Sequence, residues 1–247
     1  MQKKYFWKIE PRNLIFRSEI IVYSKILEII KPFIGKRIRV LDAGCGTGKL
    51  ATILSSKNLE VFGIDKSDEA IKEAKANYKT GEIHYQVGDV TKLSKIYNKS
   101  FFDVIISTFV TLYLNKFQLK QFINEAYKVL KHNGLFILAD VHPFLPIIQP
   151  KTRWEKWKFK KINYFKTKLI NQDIFLPKDV VGNKRKRFSV RWYHHPLYSY
   201  INILTRKFNL EKVYEPQPIK ANLRQYKNMW GEEKIKPVYI IFYLRKK

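Results

Sequence analysis

The chain has 247 residues, 45% of them hydrophobic, and its 48 basic and 21 acidic side chains give a formal net charge of +27. That length and apolar content suit one large α/β domain, or one domain with an insertion, around a sizeable core. The single cysteine, Cys45, excludes an internal disulfide and suits a reducing compartment. The stretch Met1 to Lys8 lacks the apolar core of a signal peptide, and the longest apolar run, 101–114, contains Asp103 and is too short to span a bilayer. A cytoplasmic protein is expected.

The positive charge is uneven. Residues 1–150 carry 23 basic and 14 acidic groups, net +9, whereas residues 151–247 carry 25 and 7, net +18. Within the latter, residues 151–191 hold 14 and 3, net +11. One reading is a surface for nucleic acid, anionic lipid or an acidic substrate. The other is compositional drift. Lysines outnumber arginines 37 to 11, as an AT-rich coding sequence would write on solvated faces.

In chain order, residues 13–31 read as a helix closed by Pro32, with Arg17 and Tyr23 as candidate ligand contacts. Residues 37–41 form a first strand. It runs into Asp42-Ala43-Gly44-Cys45-Gly46-Thr47-Gly48 and then a helical segment, Lys49 to Lys57. Alternating glycines let backbone approach a ligand where any Cβ would clash, and the helix start offers free N–H groups. A dinucleotide fingerprint fails because its third glycine would fall at Lys49, and a phosphate-binding P-loop fails at Ala43 and Leu50.

Val61 to Ile64 is a second strand ending at Asp65, whose carboxylate lies beside the glycine loop and can accept two ribose hydroxyls. Ser67 is a plausible N-cap for the next helix. Residues 83–87 alternate as a third strand closed by Gly88-Asp89-Val90, where Asp89 is also a candidate helix cap. Residues 101–108 read as a buried strand and residues 116–130 as a helix with Phe117, Phe122, Ile123, Ala126 and Leu130 on its stripe. Gly134 marks a sharp turn into a fifth strand, 134–141. Five strand–helix repeats specify a parallel, doubly wound sheet with ligands at the strand C-termini.

The Asp-x-Gly-x-Gly-x-Gly stretch, with Asp65, Asp89 and Phe102-Asp103 at their spacings, resembles the class I S-adenosylmethionine (SAM) methyltransferases over residues 37–142. The resemblance implies a Rossmann-like seven-stranded sheet with its last strand antiparallel, and SAM as cofactor. The implied cofactor contacts are Asp42, Gly44, Cys45, Gly46, Gly48, Asp65, Lys66, Asp89, Val90 and Ser107, with Asp89 on the adenine amino group. No metal is expected, since no cysteine or histidine–acid cluster has ligand spacing.

Beyond Pro143 the pattern breaks at Pro146 and Pro150. Residues 151–168 are basic and aromatic, including Trp154 and Trp157, and residues 174–192 read as a hairpin turning at Gly182-Asn183 beside Lys184 to Arg187. Three regions are expected: a core at 1–143, a basic insertion at 144–192 covering the substrate, and a completion of the sheet at 193–247. Tyr193-His194-His195-Pro196-Leu197-Tyr198 resembles a Tyr-His-Arg-Pro-Leu-Ser stretch in a branch acting mainly on small molecules, with His195 in place of arginine and Tyr198 in place of serine.

Three functions follow from these residues. The first is methyl transfer to a small molecule, and the second is methylation of RNA through the basic aromatic insertion. The third is a SAM-binding regulator without catalysis. For a reaction needing a base, the candidates are His142, at the end of the fifth strand, and His194 and His195.

Overall fold

The structure, a computed structural model, describes residues 19–77, 83–145, 163–175, 187–217 and 237–247. Its main sheet is built from β1 (Arg39–Ala43), β2 (Glu60–Asp65), β3 (Ile83–Val87), β4 (Phe102–Thr108), β5 (Leu130–Val141), β8 (Phe208–Tyr214) and β9 (Tyr239–Lys246). The seven strands lie in the order β3-β2-β1-β4-β5-β9-β8. The first five pair in parallel, and β9 runs antiparallel between β5 and β8. A separate antiparallel pair is formed by β6 (Lys168–Phe175) and β7 (Arg187–His194). Among the described residues the α-helices are α1 (Ser24–Ile30), α2 (Lys49–Ser55), α3 (Asp68–Asn77), α4 (Lys116–Val129) and α5 (Leu197–Leu204).

Both faces of the sheet are covered, which is why β1, β4 and β5 read as near-continuous apolar runs. On one face Val40, Val104, Ile106, Leu135 and Ile137 pack with Ile26 and Ile30 of α1 and Leu50 and Leu54 of α2. On the other, Leu41, Ile105, Phe136, Leu138 and Phe242 pack under Phe122 and Val129 of α4 and Leu204 of α5. A register shift between Phe102 and Val104 puts Phe102 on the second face together with Ile105. At that irregularity the Asp103 carboxylate accepts the Arg39 N–H at 2.9 Å and the Lys131 ammonium at 2.7 Å. It thereby fastens the starts of β1, β4 and β5.

The α/β class, the doubly wound sheet and the antiparallel last strand are as expected. The differences are local. The described part of the first helix is a short π-helical stretch, Glu19–Tyr23, followed by α1, and Pro32 sits in the 3₁₀ turn that ends it; Arg17 lies outside the described residues. Phe117 does not join the buried stripe of α4 and is 68% exposed, because Asn115 and Gln118 form a reciprocal capping box and the buried face begins at Leu119. The left-handed backbone expected at Gly134 falls instead on Asn133, with φ 54°, inside β5, which already begins at Leu130. Gly134 is needed for space instead: a Cβ there would stand 2.6 Å from Leu130 Cγ and 2.8 Å from the Lys131 carbonyl. The hairpin strands begin earlier than the sequence suggested, at Lys168, and β7 runs on to His194. Gly182-Asn183, Lys184 to Lys186, Trp154 and Trp157 lie outside the described residues.

Phe136 is fully buried between Phe122, at 5.9 Å ring separation, and Phe208, at 5.3 Å. Phe136→Ala is expected to cost about 3–5 kcal/mol of stability in urea unfolding. A loss under about 1 kcal/mol would place the centre of this core elsewhere.

Candidate functional site

The glycine loop leaves β1 and crosses the end of β2. The Gly44 and Cys45 N–H groups both donate to the Ile64 carbonyl, at 2.7 and 2.9 Å. Gly44, Gly46 and Gly48 all have positive φ, so side chains would strain each position. Two of these positions differ in purpose. A Cβ on Gly44 would collide with Val110, which follows β4, whereas a Cβ on Gly46 would meet none of the described residues within 4 Å. Gly44 is therefore glycine for close packing, and the Gly46 backbone faces open space that a ligand can fill. Gly48 is the N-cap of α2.

The carboxylate of Asp65, at the end of β2, accepts the Gly46 N–H and the Ser67 N–H, each at 2.9 Å. It is half-buried, and burial raises its pKa against the Ser67, Gly46 and Lys66 amides. Asp42 lies beneath the loop. Both its oxygens are enclosed, and neither has a hydrogen-bond partner among the described residues. Burial first, and then Asp65, push it up to about 7, the nearby Ala51 amide at the start of α2 offsetting only part. Two carboxyls so placed resist sharing two charges. Cys45 is buried and its thiol is held well above the usual range by burial and by these acids.

Asp89 spans the neighbouring edge. Its carboxylate accepts the Thr91 N–H at 2.9 Å and hydroxyl at 2.7 Å, and pairs with exposed Lys66 at 3.2 Å. Burial pushes its pKa up, but the Thr91 groups and Lys66 outweigh it and the net shift is downward. Val90 is buried in the core, and the Ser107 hydroxyl is committed to the Ala43 carbonyl at 2.9 Å, stapling β4 to β1. Phe109, just past β4, holds a left-handed backbone at φ 59°, a conformation costing about 1–3 kcal/mol and concentrated at functional edges. Taken together, an open glycine cradle flanked by two strand-end carboxylates fits a nucleoside-bearing cofactor that carries positive charge.

A second hollow lies beyond β5. It is a narrow cleft of about 10 Å³, room for roughly one water, lined by Leu112, Val141, Pro143, Trp192 and Tyr193 together with the three histidines and Tyr200. The hairpin is fastened over it by Tyr164, whose ring stacks on Phe144 at 4.8 Å and whose hydroxyl accepts the Leu197 N–H at 3.0 Å.

The three histidines are buried, and burial lowers the pKa of each. In His142, Nδ1 accepts the Phe144 N–H at 3.2 Å, so Nε2 carries the proton and donates to Glu215 at 2.9 Å. Nε2 of His194 donates to the Tyr164 carbonyl at 3.0 Å, and Nε2 of His195 to the Leu114 carbonyl at 2.8 Å.

Sequence reasoning missed Asp140, Thr111, Tyr200 and Glu215. Asp140 did leave a signal, being the one acid in the apolar run 134–141. Burial pushes it up to about 7 despite hydrogen bonds from Thr111, the Val141 amide and Tyr200.

Asp42 and Asp140 thus titrate near 7 when folded and near 3.8 in an unfolded chain. Between those values the unfolded chain releases protons that the folded one keeps, so stability falls as pH rises from about 4 to 7 and stays lower above. Each group's share is on the order of 4 kcal/mol. Asp42→Asn is expected to flatten the fall of the melting temperature between pH 5 and 8, as thermal unfolding at each pH would show. An unchanged slope would mean Asp42 is ionised throughout.

A family model described as a methyltransferase domain matches residues 34–187, more than half of the chain. A ubiquinone biosynthesis O-methyltransferase from Pelagibacter ubique is 34% identical over 131 residues, 52% of each chain. A demethylmenaquinone methyltransferase from Leptospira interrogans is 33% identical over 138 residues, 53% of this chain and 51% of the relative. The chain spans about half the length of these curated relatives. Two solved structures share the fold at low identity. One is an S-adenosylmethionine dependent methyltransferase from Mesorhizobium loti (TM-score 0.69, 21% identity, covering 90% of this chain and 96% of that one). The other is a SAM-dependent methyltransferase from Methanosarcina mazei (TM-score 0.62, 19% identity, covering 88% and 96%). With its glycine loop and strand-end acids in the arrangement those motifs imply, and its family model matched over most of the sheet, the chain belongs to the SAM-dependent methyltransferase family.

Proposed function

We propose that the chain moves a methyl group from SAM to a small molecule seated in the pocket between β5, β7 and α5. The observation that carries this reading is the closure of the hairpin onto the sheet edge. Trp192 and Tyr193 of β7, Val141 at the end of β5 and Pro143 after it line a narrow, largely apolar recess there, and so covered an edge suits a small acceptor better than a polymer. Two relatives are named as quinone-pathway methyltransferases, which agrees. The RNA reading draws on the charge and aromatics of 151–191, most of which lie outside the described residues, and no relative named above supports it. Among the described residues no helix is long and apolar enough to cross a membrane.

When bound, SAM supplies an activated methyl on a sulfonium. The rest is positioning and exclusion of water. The backbone of Gly44 to Gly48 forms the cradle, and Asp65, with two oxygens already holding the loop, has lone pairs left for ribose hydroxyls. Asp89 stands at the adenine end, with Lys66 across from it. Val90 and Ser107 shape this edge through the core and the Ala43 carbonyl. Asp42 and Cys45 act from beneath the loop.

Among the base candidates His142 has both ring nitrogens engaged and must give up the Phe144 amide before it can take a proton. Its pairing with Glu215 ties the end of β5 to the segment after β8. His194 and His195 anchor the hairpin base and the turn after Thr111 through their Nε2 protons.

Calorimetry tests the cofactor. SAM and S-adenosylhomocysteine are expected to bind and NAD is not. Asp65→Ala is expected to weaken SAM about tenfold to a hundredfold, since an unpaired buried polar group costs about 1–3 kcal/mol. Transfer of labelled methyl from SAM into host metabolites rather than RNA would complete the case. Label recovered only in RNA would reverse the choice of acceptor.

A further inference from the structure

Among the described residues nine large hydrophobic side chains are exposed, and six of them belong to the β6–β7 hairpin and the turns beside it. These are Tyr113, Phe117, Phe144, Phe165, Leu169 and Tyr198. The other three, Ile34, Val87 and Val213, are aliphatic and scattered over separate elements, so all five exposed rings fall in one region. A single exposed apolar residue is ordinary, whereas a group of them marks an interaction surface.

Contacts join the six into one face. The Tyr198 hydroxyl donates to the Phe165 carbonyl at 2.9 Å. Tyr164 stands between Phe144, stacked at 4.8 Å, and Phe165, edge-on at 5.4 Å. Leu169 lies across from Tyr193 on the outward side of the hairpin, the side where the Arg191 guanidinium donates to Asn171 at 2.9 Å. Ile170 and Trp192 take the inward side. Tyr113 ends the 3₁₀ turn Thr111–Tyr113, and Phe117 opens α4. Between them the Leu114 carbonyl receives His195 Nε2 at 2.8 Å, which holds this turn against the end of β7. Phe165 is 71% exposed, although the core would have room for fewer polar neighbours than it has.

The same face is positively charged. Lys116, Lys120, Lys166, Lys168 and Arg191 are all exposed, and none forms an ion pair among the described residues. The stretches 111–124, 163–172 and 191–204 contain these five cations and no aspartate or glutamate. An acid that comes close, Glu215, is engaged by His142, whose ring stacks on Phe144 at 5.3 Å. Cations sit next to apolar side chains along the chain, as in Lys116-Phe117, Phe165-Lys166 and Lys168-Leu169.

We propose that this face, the outward side of the hairpin with the turn before α4, docks on an anionic lipid bilayer. Phe117, Phe165 and Leu169 enter the boundary between headgroups and acyl chains, and the neighbouring lysines meet the lipid phosphates. A lysine stem lies along apolar surface while its ammonium stays in the polar layer, which suits these adjacent pairs. Lying on a bilayer needs no spanning helix. Single-stranded RNA, the other polyanion, is read by rings on which bases stack. Leu169 offers no ring, and Phe144 and Tyr164 already stack on each other, so the face fits lipid better. The proposal does not depend on which molecule accepts a methyl group.

Flotation of the full chain with vesicles tests it, using phosphatidylcholine alone and phosphatidylcholine mixed with phosphatidylglycerol. The native chain is expected to float with the mixed vesicles and not with the neutral ones, and to release as salt rises. Phe117→Ser with Phe165→Ser is expected to weaken binding about tenfold or more, since each ring gives up its apolar burial. Lys166→Gln with Lys168→Gln is expected to weaken it about thirtyfold, near fivefold for each cation. Lys31→Gln with Lys36→Gln removes the same charge before β1, away from the hairpin, and is expected to change binding less than about twofold. All these side chains are exposed, and thermal unfolding checks that each variant is folded.

No flotation with anionic vesicles overturns the proposal. So does equal loss from the two lysine pairs with no loss from the phenylalanine pair, which would make the binding a property of net charge alone. Retention of single-stranded RNA that the phenylalanine pair abolishes, with vesicles left unbound, overturns it in favour of nucleic acid.

Discussion

The Asp65 carboxylate holds the site together. One oxygen takes the amide of Gly46, nineteen residues back, and the other takes the amide of Ser67, two residues on. Those two bonds, with the Ile64 carbonyl that receives Gly44 and Cys45, fix a loop of left-handed glycines over the end of β2. Charge-assisted bonds to backbone amides are about twice as strong as neutral ones, and they work here in a half-buried setting. The helix α2 then starts at Gly48, and the cradle opens at Gly46. If Asp65 were neutral the loop would keep its glycines but lose the anchor that orients them. The Asp65 charge is protected by the neighbour that competes with it. Asp42, enclosed and pushed up to about 7, is the carboxyl that takes the proton.

The same economy of protons runs through the other half of the site. Asp140 lies on β5 as Asp42 lies on β1, each next to the last residue of its strand. Both are acids inside apolar strands flanking β4, and burial moves both to about 7. They differ in company. Asp42 meets no partner among the described residues, whereas Asp140 receives Thr111 and the Val141 amide. A fully satisfied network rigidifies, and one with a missing partner costs stability. The sheet therefore carries a built-in cost at Asp42, near the end of β1, while the partners of Asp140 tie β5 to the turn after β4. Dense packing on both faces of the sheet offsets that cost, with rings such as Phe122, Phe136, Phe208 and Phe242 wholly withdrawn from water.

Much of this was legible from residue order. Period-two and continuous apolar runs gave the strands because a sheet covered on both faces leaves no polar alternation, and Gly44, Gly46 and Gly48 marked the loop because only glycine accepts those φ values cheaply. Asp65 and Ser67 were readable for the same local reason. What escaped was non-local. Thr111 and Tyr200 are 89 residues apart and meet only because α5 packs under β9. Gly134 read as a turn, yet the left-handed residue is its neighbour Asn133, and Gly134 answers to the Leu130 side chain. Phe117 kept helical spacing but sits in the first turn of α4, where the capping box leaves it outside the buried face. The histidines read as bases from their position, and only coordinates show that His142 has spent both nitrogens.

The lining of the recess beyond β5 also bears on the surplus of positive charge. A site built to receive anions would turn lysine or arginine inward, and the residues lining this pocket include neither. Several described basic side chains have structural uses: Lys131 on Asp103, Lys246 on the Leu130 carbonyl at 2.6 Å, and Lys66 on Asp89. The polar side chains that line the recess include Tyr200 and the three histidines, and burial moves each toward its neutral form. The surface charge, screened beyond about 8–10 Å in physiological salt, acts on encounter and solubility, while the recess itself is lined by neutral groups.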